Sequence, residues 1–336
     1  TSNPFLIETY TQLNDIWYYP ESNYRQTTDL DLSGIKHEPI FDENIYFKGI
    51  FNGGGHTVKN LTVETESNYP SLFGVVDGGI ISDLNFENAN IKTTDFNTSG
   101  NNKYCVGIVA GKASGFINNV TVNGEINVDG LSYNGVAIGG LVGLANGTIA
   151  DCNCDVQINI MHVYSDRLNY PFAFGGMIGV CDSAFIRECN VVGQINVTEC
   201  YWLESEDSSI NQSTQLIVGG MVGYYVVDRQ ISTYIRDCRT EMEIYGDNHY
   251  EAGGFIGHIS VYKEASLNIV NSSVHGDIKI GTAGGFICNG FSYGELIIKD
   301  CFVENSVTAY LQAAGFIKSF IGSNNCLLVI VIPIQN

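Results

Sequence analysis

Apolar and polar residues alternate along most of the chain, and the alternation returns in register every 30 to 44 residues. Four recurrences open with nearly the same block: Gly139-Gly140-Leu141-Val142-Gly143, Gly175-Gly176-Met177-Ile178-Gly179, Gly219-Gly220-Met221-Val222-Gly223 and Gly253-Gly254-Phe255-Ile256-Gly257. Degenerate copies at 71–74, 107–110, 284–288 and 314–318 bring the series to about eight repeats. A second block follows each first one, as in Ile117-Asn118-Asn119-Val120-Thr121-Val122 and Ile149-Ala150-Asp151-Cys152-Asn153-Cys154. Its period of two is that of a strand with one buried face.

Stacking the second blocks yields three apolar columns. One holds Leu84, Val120, Cys152, Cys189, Cys238, Ser272 and Cys301, and the next holds Phe86, Val122, Cys154, Val191, Thr240, Val274 and Val303. The third holds Ile126, Ile158, Ile195, Ile244, Ile278 and Val307. Each column supplies one inward rung per repeat, about 4.8 Å from the next. The blocks are separated by Gly, Asn, Ser and Asp, the residues of turns, and no sustained helical spacing intervenes. The pattern predicts an all-β, single-domain parallel β-helix with one coil per repeat. Its hand is expected to be right because parallel crossovers prefer that hand.

The ends of a solenoid need cover, since an open sheet edge pairs with other chains. Residues 1–70 read as an N-terminal cap and first coils, and residues 71–336 as one continuous run of repeats. A short capping helix is expected over 7–18, with Ile7, Leu13, Ile16 and Trp17 on the core, and the first coils at 24–32 and 47–63. The apolar segment 326–334 carries no such cap. It predicts that the chain continues or that this strand docks, including head to tail on another copy.

The glycine blocks followed by Ile-x-x-Cys blocks resemble the GLUG-type repeats of bacterial and protist surface proteins. The stretches YRQTTDLDLSG at 24–34 and FKGIFNGGGHTVKNLTV at 47–63 are similar to the lead-in of such repeats. The resemblance covers nearly the whole chain and implies an extracellular or cell-surface structural and adhesive module. It implies no catalytic residues, because in protease members the repeats accompany a separate catalytic domain. The chain departs from the pattern at 105–110, where the glycine doublet is lost, and in long insertions after the third to fifth repeats.

Composition narrows the chemistry. Asp plus Glu outnumber Lys plus Arg by 36 to 16, a net charge of −20 that repels nucleic acid and anionic membranes. No apolar run reaches the roughly 18 residues of a membrane helix, so no membrane insertion is expected. An acidic or amide column precedes the cysteine column and includes Asp151, Glu188, Asp237 and Asp300. Stacked carboxylates repel, so these four are candidate Ca²⁺ ligands, with a solvated turn as the simpler alternative.

Tyr164, Tyr170, Phe172, Tyr201 and Trp202 lie in the lengthened loops and are candidate platforms for glycans or other surface proteins. Among the Asn-x-Ser/Thr sequons, Asn97 and Asn211 in polar loops are the candidate glycosylation sites. The column cysteines read as buried thiols, whereas Cys105, Cys181, Cys200 and Cys326 are off-column disulfide candidates. The six histidines show no metal-ligand spacing, and cations are too scattered for a lyase site. A non-catalytic adhesive module is therefore the first functional reading. A glycan-binding module is the alternative, and a polysaccharide lyase or hydrolase comes third.

Overall fold

The computed structural model describes residues 3–94, 104–130, 135–162, 164–165, 172–202, 216–247, 250–322 and 327–331. Every strand pairing among them is parallel, and each strand pairs with the equivalent strand one coil away. Val136–Gly139 lies on Phe172–Gly175, for example, and that strand lies on Leu216–Gly219. The chain is a parallel β-helix. One continuous sheet of 27 strands wraps most of the circumference, and an eight-stranded sheet running from Val75–Val76 to Ile317–Gly322 closes it.

The glycine block makes the corner between these sheets. Gly139 and Gly140 end one strand, and Val142–Ala145 begins the next in the second sheet. A Cβ on Gly176 would run into the Gly220 carbonyl oxygen of the next coil. Only glycine lets the coils stack that closely at this corner. The apolar pair after each doublet turns inward. Phe255, Phe286 and Phe316 stack in line there, with ring centroids 4.7 and 4.9 Å apart.

All three apolar columns lie inside, fully buried until the last coil, where Val303 and Val307 become half-exposed. The sequence pattern treats each second block as one strand, and from the block at Ile149 onward the structure divides it in two. Asn119, Asp151, Glu188, Asp237, Asn271 and Asp300 all take the left-handed conformation, with φ between 49° and 56°. This residue bends the chain, so Ile149 and Cys152 both face the core although they are three positions apart. The apolar gap of three within a period of two is the trace of that corner.

The N-terminal cap is shorter than a helix over 7–18. Strand Phe5–Ile7 pairs with Asn23–Gln26, and the α-helix Tyr10–Asn14 passes into a 3₁₀ turn at Asp15–Tyr18. Thr9 and Gln12 form a reciprocal capping box at its start. Ile7, Leu13 and Ile16 cover the first coil, but Trp17 points to solvent at 43% exposure. Leu13 and Ile16 already share the inward face of this tight turn, which leaves the adjacent Trp17 facing out.

Candidate functional site

The left-handed turn column is where the sequence places Ca²⁺ ligands. Asp151, Glu188, Asp237 and Asp300 line up one per coil, and none joins two others in a common cage. Among the described residues no three His, Cys, Asp or Glu side chains converge on a metal position. The repulsion is offset within the protein. Arg187 bonds Asp151 at 3.3 Å and Glu188 at 2.6 Å, Arg236 lies 4.0 Å from Asp237, and Lys299 lies 3.9 Å from Asp300. Asn271 donates its amide to Asp237 at 2.7 Å, and Asn119 donates to Asp83 at 2.8 Å. The neighbouring Asp151 carboxyl holds the Glu188 carboxyl above its ordinary value. These residues form a turn ladder.

The cysteine next to each turn residue has a second duty beyond filling the core. Cys152, Cys189 and Cys238 each donate S–H to the carbonyl two residues back, at 3.1 Å, and Cys301 does so at 3.3 Å. Ser272 occupies the same column and donates its hydroxyl to the Val270 carbonyl at 3.0 Å. The left-handed corner turns this carbonyl inward, and a short donor at the column position satisfies it. Cys105, Cys181 and Cys200 also carry buried thiols, which corrects the expectation of disulfides there; Cys326 lies outside the described residues.

The insertions are placed in part. Tyr164–Ser165 pairs in parallel with Tyr201–Trp202, so the two lengthened loops keep one extra short strand each. Tyr170, Asn97 and Asn211 lie outside the described residues. Phe172 is a correction. It starts the strand Phe172–Gly175 at 3% exposure and belongs to the core, because that strand needs an apolar residue above Val136.

At the root of these loops stands a bridge that the sequence did not announce. As the imidazolium, His162 donates through Nδ1 to Asp129 at 2.8 Å and through Nε2 to Glu199 at 2.9 Å, joining three coils. Both carboxylates hydrogen-bond the ring and hold it above its ordinary value, favouring the imidazolium.

An organised polar feature lies on the outward flank of strands Ile80–Thr94, Phe116–Asp129, Asn153–Met161, Asn190–Thr198 and Arg239–Gly246. Here a trough of 470 Å³ is bordered by Asn123 and Asp155 on one side and by Glu125, Gln157, Gln194 and Glu243 on the other. Gly124 and Gly193 lower its floor. Its side chains are ordered by a ladder. Asn123 donates to Asp155 at 3.1 Å, and Asn159 donates to Glu125 at 3.0 Å and Asn127 at 2.9 Å. Asn196 donates to Asn159 at 2.8 Å, and Gln194 donates to Asn196 at 2.7 Å. The Gln157 amide, exposed in the middle of the trough, makes none of these bonds. Rows of fixed amides and carboxylates on a flat, rigid sheet suit hydroxyl-rich ligands, whose donors and acceptors they match.

Three comparisons bear on this architecture. A crystal structure of a candidate immunoglobulin A1 protease from Bacteroides ovatus aligns over 99% of this chain and 84% of its own, with TM-score 0.51 and 17% identity. That likeness supports the fold. Halomucin of Haloquadratum walsbyi is 32% identical over 136 residues, which is 36% of this chain and 1% of Halomucin. A candidate Gly-rich membrane protein of Evansella cellulosilytica is 32% identical over 130 residues, 36% of this chain and 14% of its own. The chain thus spans only a small part of either relative. No family model matches the chain. No helix among the described residues is long and apolar enough to cross a membrane.

Proposed function

We propose that the chain is a non-catalytic surface module, akin to the GLUG-type repeat proteins, that adheres through glycan contacts along its polar flank. The observation that carries this reading is the trough, where ordered Asn, Gln and Glu side chains span several coils and Gln157 keeps its hydrogen-bonding groups for a ligand. A rigid solenoid holds these groups at fixed spacing, which lowers the entropy cost of binding a repeating polymer. The likeness to Halomucin and to a Gly-rich membrane protein supports placement at the cell surface.

A glycan array probed with the purified chain tests the proposal. Binding to a defined glycan class is expected, with Gln157→Ala and Gln194→Ala together weakening it about tenfold, the worth of one or two hydrogen bonds. Unchanged binding by the double variant would sink the assignment of the trough. No reducing ends should be released from the bound polysaccharide, and their release would overturn the non-catalytic reading.

A further inference from the structure

A second groove, of 640 Å³, crosses the first coils and is lined by Arg25, Asn23, Asn52, Asp83, Asn119 and the backbone of Gly54 and Gly55. Arg25 faces out from strand Asn23–Gln26 and aligns with Asn52, which in turn aligns with Ser82. The same register row continues through Asn118 and the buried Ala150 to Arg187 and Arg236. Those later arginines sit beside acidic turn residues and are neutralised by them. Arg25 forms no ion pair among the described residues.

The groove explains why. Its sole lining carboxylate, Asp83, is already occupied: Oδ2 accepts from Asn52 at 2.6 Å and Ser82 at 3.1 Å, and Oδ1 accepts from Asn119 at 2.8 Å. The Asn52 amide oxygen is likewise taken by the Gly54 N–H at 2.8 Å. Arg229 also carries a guanidinium without an ion pair among the described residues, but its groove is lined by Glu264 and Glu295, whereas the Arg25 groove has no open carboxylate of its own. A guanidinium presents a planar fork that matches a carboxylate bidentately. The neighbouring Asn23 amide and the Gly54 carbonyl offer partners for hydroxyls, and Ile50 and Pro4 give an apolar surface for a sugar ring. A single cation in an acidic chain does not favour a densely charged polyanion.

We infer that this groove binds a carboxylate-bearing sugar, a uronic acid unit of a polysaccharide, with Arg25 gripping the carboxylate. The inference rests on the glycan reading above for its ligand class, but it uses different coils and different residues.

Isothermal titration of the full chain with a galactose oligomer bearing one galacturonate unit (the galacturonate oligomer), the same neutral galactose oligomer without it and a glutamate peptide tests it. The galacturonate oligomer should bind best. Arg25→Ala should weaken it at least about tenfold, and Arg25→Lys should recover only part because the fork is lost. Arg25 is exposed, and circular dichroism and melting of each variant confirm that folding is intact. Equal binding by Arg25→Ala, equal binding of the neutral oligomer, tighter binding of the peptide, or no binding of the uronate would overturn the inference. Loss of neutral-glycan binding in Gln157→Ala with no effect of Arg25→Ala would reject this groove while leaving the flank reading standing.

Discussion

His37 is sealed beneath the N-terminal cap, with Nε2 2.9 Å from the Leu72 carbonyl, and burial lowers it from 6.5 to about 4. His258, packed edge-on against Tyr224 and Phe291, is lowered by burial to about 4 as well. Both fold as neutral rings, so the unfolded chain binds their protons first as pH falls. Stability from each is complete above about pH 6.5 and is lost between there and pH 4, reaching about 3 kcal/mol for His37. Urea melts at pH 7 and pH 4.5 should show this fall, and a smaller fall in His37→Gln is expected. His162 has the opposite sign. Its raised value means its contribution is present in acid and fades as pH rises through that value, so His162→Gln should reduce the stability difference on the alkaline side. Thiols give a further check at this scale. Burial pushes Cys181 and Cys288 up to about 12 and Cys301 up to about 11, so Ellman's reagent at pH 8 should leave these three untouched until the chain is unfolded. Rapid native labelling at any of them would contradict the packing described.

Corners, more than strands, set the character of each coil. The turn residue holds a left-handed backbone that costs an ordinary side chain about 1–2 kcal/mol, less for Asp and Asn and nothing for Gly. Asp237→Gly should therefore melt close to the parent, whereas Asp237→Val should lose about 2 kcal/mol or more through backbone strain. A thermal melt in which Val and Gly behave alike would show that the corner is not strained. The next residue completes the element, because its S–H or hydroxyl takes the carbonyl that the corner turns inward. Cysteine recurrence in the column was plain in the sequence, but only as apolar filling. The occurrence of Ser272 among cysteines was the available hint that a donor was wanted there, since serine is a poor hydrophobe. The neutralising cations were legible too, as Arg187, Arg236 and Lys299 each precede an acidic residue in sequence.

At the scale of the whole molecule the two ends differ. The first coil is covered by Ile7, Leu13 and Ile16, whereas the last described coils expose Tyr310, Leu311 at 68% and Ile321 at 69%. The phenylalanine stack ends with Phe316 only half-buried. We propose that the exposed Tyr310, Leu311 and Ile321 support self-association at high concentration. Sedimentation over a concentration series tests that, and Leu311→Glu should shift the chain toward monomer. A monomer at every concentration would count against the contact. The acidic flanks, by contrast, repel one another and should keep side-by-side association weak at low salt.

Periodicity is a property of sequence, and it sufficed for the parallel β-helix, the three inward columns and the presence of a cap. Each of these follows from local alternation repeated at nearly constant spacing, so no distant contact had to be known. The functional features depend on neighbours 30 to 48 residues away. Whether an acid column is a metal cage or a turn ladder is decided by φ and by which amide lies one coil over. The core burial of Phe172, the His162 bridge, the flank trough and the unpaired guanidinium of Arg25 exist only when coils are stacked in register. The same arginine residue type is neutralised at 187 and open at 25 because the acid beside it differs from coil to coil, and that is a fact of tertiary structure.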